Sequence, residues 1–246
     1  MSTRSQRSLL YGNKNLGYVD STSLRKKVLE WGASTLGFAD LEGGIPKKWE
    51  HLKTGVSITL RLSDVIIDEI ENGPTLTYAH HYRAINQSLD SIAIRTSNLI
   101  QSLGYEALPI PASQKTNEKE LKGLIPHKTV ATRAGLGWIG KNALLITPQY
   151  GPRVRLVSVL TNAPLRPSQP VTESKCGGCL LCVKACPACA LKGKSWALNV
   201  RREDLMNVNL CHEVTKRNQE ILGETICGVC ISVCPFGRNT RINRPK

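Results

Sequence analysis

The chain has 246 residues, with 33 Lys and Arg against 19 Asp and Glu, a formal net charge of +14, and nine Cys. At 41% hydrophobic and 21% charged it is not the composition of a disordered chain. No apolar run reaches the roughly 18–20 residues of a membrane-spanning helix. The first residues are basic without the apolar stretch of a secretory signal, so nine cysteines point to metal or redox chemistry in a reducing cytoplasm.

In chain order, residues 22–36 are expected to be helical. Leu24, Val28, Trp31 and Leu36 fall near one face, Ser21 or Thr22 can cap, and Gly37 can end the helix. Residues 55–62 alternate as a half-buried strand. Residues 77–103 hold the strongest helical pattern, with Tyr82, Ile85, Leu89, Ile92, Leu99 and Leu103 at 3–4 spacing before Gly104. A strand over 105–110, a helix over 127–134 and strands over 143–146 and 153–160 follow. This order predicts an α/β (α+β) domain over residues 1–165. The Pro-rich stretch 162–170 reads as a linker, and residues 166–246 as a second domain, because every cysteine lies between Cys176 and Cys234.

The first cysteine run is Cys176-x-x-Cys179-x-x-Cys182-x-x-x-Cys186-Pro187, the spacing of a bacterial [4Fe–4S] ferredoxin. Three close thiolates fit one cubane, and the fourth serves the neighbouring cluster. The second run, Cys227-x-x-Cys230-x-x-x-Cys234-Pro235, lacks a middle cysteine, and Cys211 upstream is the replacement. The swapped pairing expects one cluster on Cys176, Cys179, Cys182 and Cys234, and another on Cys186, Cys211, Cys227 and Cys230. Cys189 is left over, expected as a small buried residue beside a cluster. Paired CxxC units also bind zinc, but zinc does not call for the third Cys at this spacing or for Cys-Pro twice.

Residues 135–142, GLGWIGKN, contain G-x-G-x-x-G. A dinucleotide fingerprint needs a strand before it, a helix after it and an acid about 20 residues on. Here a helical pattern precedes, a strand pattern follows, and 155–161 holds no acid. The block reads either as a tight turn between core elements or as a close backbone approach to a bulky ligand, with Trp138 and Lys141 supplying a stacking face and a cation.

AGLGWIGKNALLI, the following ITPQYGPRVRLVSVLTNAPL and the split cysteine runs together resemble the epoxyqueuosine reductase family, itself related to the reductive dehalogenases, over roughly residues 75–237. The resemblance implies a cobalamin-binding domain followed by a bacterial ferredoxin-like domain with two [4Fe–4S] clusters, electrons passing from the clusters to cobalt. It implies that Gly135, Gly137, Trp138, Gly140, Lys141 and Asn142 lie at the cofactor. Three departures stand out. The family continues beyond the clusters into a helical-repeat region that helps hold tRNA, whereas this sequence stops at Lys246. The family's catalytic Asp, in a segment like FVDS, has no counterpart in Leu108–Gln114. The export signal of respiratory dehalogenases is absent.

With that Asp missing, Ser113 and Gln114 are candidates for donating or orienting hydrogen bonds. His81 and Tyr82, in a polar cluster with Tyr78 and His80, are candidate proton donors, against the plainer role of capping the helix start. His212 is expected to support its neighbour Cys211 rather than bind iron.

The basic balance, including Arg238, Arg241, Arg244 and Lys246 at the end, suits a polyanion or an acidic electron donor such as ferredoxin or flavodoxin. Without an RNA-binding pattern and with 5% aromatics, tRNA is the less favoured partner. The expected function is a cobalamin-dependent iron–sulfur oxidoreductase acting on a small molecule or modified nucleoside. The alternatives are an electron-transfer protein or corrinoid reductase serving a corrinoid-enzyme partner, and a reduced form of the tRNA-modifying enzyme.

Overall fold

A computed structural model describes residues 19–113 and 123–238. Gln114 and the terminal Arg241, Arg244 and Lys246 lie outside them. Helix α1 (Ser21–Glu30) is capped by Asp20, whose carboxylate accepts from the backbone N–H of Thr22 and Ser23. The cap is therefore Asp20, not Ser21 or Thr22. The helix stops at Trp31, and strand β1 (Thr35–Asp40) takes the residues that periodicity had given to its end. Leu36 fits either pattern; pairing with the next strand decides for β.

Strand β2 (Thr54–Arg61), helix α2 (Asp64–Glu69), helix α3 (Leu76–Ser102) and strand β3 (Ala107–Ile110) follow. Thr75 caps α3 by accepting from the Tyr78 N–H. After helix α4 (His127–Arg133) come a two-residue pair, β4 (Trp138–Ile139) with β5 (Leu145–Ile146), and strand β6 (Val154–Thr161). Of the stretch 143–146, only the last two residues are strand.

The main sheet has the order β1-β2-β6-β3 and is antiparallel throughout. The fold is a mixture of helix and antiparallel sheet, the α+β form of the expectation. Phe38, Val56, Ile58, Val157 and Val159 pack with Leu89, Ile92 and Ile100 of α3. Ala39 and Leu160 pack with Val130 and Ala134 of α4. The sheet thus has helices on both faces, and burying this apolar set at about 25 cal/mol per Å² is the main source of its stability.

The stretch 162–170 is irregular but not a free tether. Ala163 and Leu165 are buried in the core of the sheet, and Ser168 N donates to Phe38 O at 2.8 Å. Apolar side chains between the prolines pull it down onto the protein. Beyond it lie α5 (Leu181–Lys184), α6 (Arg202–Leu205), α7 (Val208–Leu222) and α8 (Val229–Ser232). The cysteine-bearing part packs directly on the first: Ile226 joins Ile67, Ile70 and Tyr78 in one apolar cluster, and Trp138 meets Phe236 edge-to-face at 5.1 Å. No helix among the described residues is long and apolar enough to cross a membrane.

Candidate functional site

Cys176, Cys179 and Cys182 come from the loop before α5 and its first turn; Cys234 follows α8. Together the four line one pocket with Lys141, Asn142, Ile146, Pro235 and Phe236. Cys211 in α7, Cys186, Cys227 and Cys230 form a second neighbourhood: Cys211 feels Cys227 and Cys186, and Cys230 feels Cys227, Cys211 and Cys186. Burial raises the thiol pKa of Cys182 to about 11 and of Cys234 to about 12, and pushes those of Cys211, Cys227 and Cys230 up as well. Thiols so placed stay protonated unless a cation takes the proton's place. Cys189, expected to be buried beside a cluster, is instead exposed, at φ +46°.

The GLGWIGKN block lies under these cysteines. Trp138, Ile139, Lys141 and Asn142 are buried. Lys141 Nζ donates to Gly177 O at 2.7 Å, and Asn142 Nδ2 donates to Cys230 O at 3.3 Å. A Cβ on Gly135 would sit 2.6 Å from Gln169 O, and one on Gly137 2.0 Å from Ile146 O. What Gly135 and Gly137 admit is the protein's own backbone, and Gly140 lies against the Asn142 and Ile146 side chains. Trp138 Nε1 is buried with no hydrogen-bond partner while its ring packs with Cys176 and Cys234. Lys128, from α4, donates to Ala143 O, and its pKa falls to about 8, chiefly through burial and the Arg202 charge.

A second polar group surrounds the start of α3 and the end of β3. Arg155, on β6, donates through Nε to Asn86 Oδ1 at 3.0 Å and through Nη2 to the Tyr82 hydroxyl at 3.1 Å. The Tyr82 and Ser113 hydroxyls are 3.2 Å apart. Asp90 Oδ1 accepts from Ala112 N at 2.8 Å, so a carboxylate from α3 does reach the stretch where the sequence has none. His127 bridges Ser158 Oγ (2.9 Å) and Pro111 O (3.0 Å). The carbonyl can only accept, which makes Nε2 the donor and leaves Nδ1 to accept from Ser158. Ser113 and His127 edge a cleft of about 250 Å³ between Ile110–Ser113 and Gly123–His127.

Of the candidate catalytic residues, the proton-donor candidate Tyr82 meets Ser113. His81 does not join them: its Nε2 accepts from Ser63 N at 3.0 Å, and burial, then the His80 charge, lowers its pKa. It is a neutral acceptor holding the start of α2. Asn86, Asp90, His127 and Arg155 carried no signal in sequence, because their partners are distant in the chain.

The 4Fe-4S double cluster binding domain family matches residues 175–237. Epoxyqueuosine reductase of Listeria monocytogenes is 38% identical over 126 residues, 47% of this chain and 31% of that protein. Over that stretch the chain is similar to the epoxyqueuosine reductases. The aligned part spans about a third of the length of the curated relatives it matches. Solved structures share the fold. A catabolic reductive dehalogenase in complex with 3-bromo-4-hydroxybenzoic acid superposes with a TM-score of 0.72 at 17% identity, covering 95% of this chain and 35% of that one. A reductive dehalogenase described in terms of B12-dependent dehalogenation gives 0.69, also at 17%, covering 93% and 33%. An epoxyqueuosine reductase with a modified tRNA stem loop gives 0.57 at 20%, covering 90% and 67%.

Proposed function

We propose that the chain is an iron–sulfur oxidoreductase, with residues 166–246 carrying two [4Fe–4S] clusters and residues 1–165 carrying the reaction. The observation that supports it most is the pocket lined by Cys176, Cys179, Cys182 and Cys234, ligands from opposite ends of the cysteine region. Among the described residues no three Cys, His, Asp or Glu converge as a single metal ion requires. A cubane asks for sulfurs spread around a larger volume. The buried, unpartnered Trp138 N–H beside Cys176 and Cys234 suits a group rich in anionic sulfur. Cys186, Cys211, Cys227 and Cys230 would hold the second cluster.

When bound, the clusters supply one-electron transfer, and a corrinoid of the kind invoked for the dehalogenase neighbour supplies the low-potential reductant. Because Gly135 and Gly137 face protein backbone, a corrinoid would have to bind away from those two glycines. The chain's own contribution is polar and positional. Lys141 fixes the first cysteine loop. Tyr82 and Ser113 bring two hydroxyls to one place, Arg155 fixes the Tyr82 hydroxyl, and Asp90 fixes the backbone beside Ser113. A substrate in the Ile110–His127 cleft would meet a proton donor there. Halogenated aromatics and a modified tRNA nucleoside, named for the neighbours, are the substrate classes to try.

Anaerobic preparation with iron and sulfide tests this reading. It expects about eight Fe per chain, a [4Fe–4S] spectrum and a shifted cobalamin spectrum on mixing. One zinc per Cys₄ set, with no iron uptake, would remove the reading; full iron uptake with no cobalamin response would remove only its corrinoid part.

A further inference from the structure

The first cysteine loop meets solvent on a face that is both apolar and basic. Leu180 and Leu181, flanked by Cys179 and Cys182, are 41% and 50% exposed. A Cβ on Gly193 would sit 3.3 Å from the Leu180 side chain and 3.8 Å from that of Val183, which places the Lys192–Gly193–Lys194 turn beside the cysteine loop. Lys175, Lys184, Lys192 and Lys194 are all exposed, and residues 174–194 contain no acid. No ion pair of the described residues involves these four lysines. Lys192 donates to the Glu203 carbonyl, and Lys194 lies within electrostatic reach of Asp204.

We propose that this face docks a small acidic electron-carrier protein, which reduces the first cluster directly. The inference rests on the two-cluster reading. Four exposed cations that make no ion pair among the described residues, together with two exposed leucines, suit a transient encounter with an acidic partner: the charges steer approach and the leucines give a small dry contact. An RNA is less suited, since residues 174–194 offer no aromatic side chain for a base to stack on. Cys179 and Cys182 are half-buried directly behind the leucines, so the face is also a short route to the pocket. In the step, one electron leaves the reduced carrier and one enters the oxidised cluster of the first cysteine set; no bond or proton moves.

The test uses the anaerobic holoprotein, an acidic flavodoxin reduced to its hydroquinone as probe, and dithionite as a protein-free reductant. Lys184→Glu with Lys194→Glu is compared with Lys216→Glu and Arg217→Glu, the same charge change at exposed positions on α7. Carrier binding, measured by biolayer interferometry, and cluster bleaching, measured by stopped flow, are expected to weaken about tenfold or more in the first variant and to lose most of their salt dependence. The α7 variant should behave as the unmodified protein, and dithionite should reduce all three equally. Equal carrier rates in the two variants would overturn the proposal. So would a first variant that loses only binding to a tRNA stem loop. Protein without iron would overturn the two-cluster reading itself, a failure visible in the iron content before any carrier is added.

Discussion

Lys141 Nζ donates to Gly177 O across 2.7 Å, tying the glycine-rich turn after β4 to the loop that carries Cys176 and Cys179. A buried cation that lines the cysteine pocket stabilises extra negative charge there. Lys141→Met should therefore lower the reduction potential of one cluster. A unit charge a few ångströms away at an effective dielectric of about 20 is worth a few kcal/mol, on the order of 100 mV for one electron. Redox titration followed by electron paramagnetic resonance checks it, and an unmoved potential would deny Lys141 this role.

Gly151 is at φ +55°, and a Cβ there would sit 1.6 Å from Phe236 O. Gly151→Ala should displace the segment after Cys234 and cost at least about 3 kcal/mol. Denaturant unfolding measures the loss, and iron content should fall toward half as the first set loses its fourth sulfur.

Cys189 and Cys211 separate the ligand sets. Cys189→Ala should keep full iron and spectrum. Cys211→Ala should lose one cluster's iron and leave the other. Equal losses from both variants would reject the assignment of Cys211 as the replacement ligand.

Tyr82→Phe removes the hydroxyl that meets Arg155 and Ser113 without removing the ring under the guanidinium, 4.3 Å from the Arg155 carbon. Cluster content should hold while turnover falls by about 10²–10⁴ if the hydroxyl donates the proton. Assays on a brominated hydroxybenzoate and on an epoxyqueuosine stem loop cover the two substrate classes. Asp90→Asn should weaken turnover less, since it acts through the backbone of Ala112.

His127 titrates below the ordinary histidine value, mainly because it is buried, with the Arg155 charge adding and the Pro111 carbonyl opposing. The unfolded chain takes up a proton near pH 6.5 that the folded protein resists. Its contribution is therefore present above about pH 6.5 and lost as pH falls below that value. The denaturation midpoint should drop between pH 7.5 and 5.5, and drop less in His127→Gln.

Short-range features were legible before the fold was known. The α3 periodicity marks the helix because every third or fourth residue meets the same core, and Cys-x-x-Cys spacing marks a loop that closes on one centre. Strand β1 was misread although Gly32, at φ +101°, ends α1 before it: Leu36 also fitted the helical spacing, and register with Val56 and Ile58 fixes Leu36 and Phe38 as strand. Nor did local pattern announce α7, whose signals are Asn207 as cap and Gly223 at φ +71° within a stretch dominated by its cysteine.

Sequence alone thus marked residues 175–237 as a 4Fe-4S double cluster binding domain, since thiol type and spacing are properties of neighbouring residues. Tertiary structure decided what GLGWIGKN does and which groups meet Tyr82. The glycines face Gln169 and Ile146, and Tyr82 meets Arg155 from the far end of the sheet. Those contacts exist only once antiparallel pairing brings β6 beneath α3, a long-range closure that no local pattern encodes.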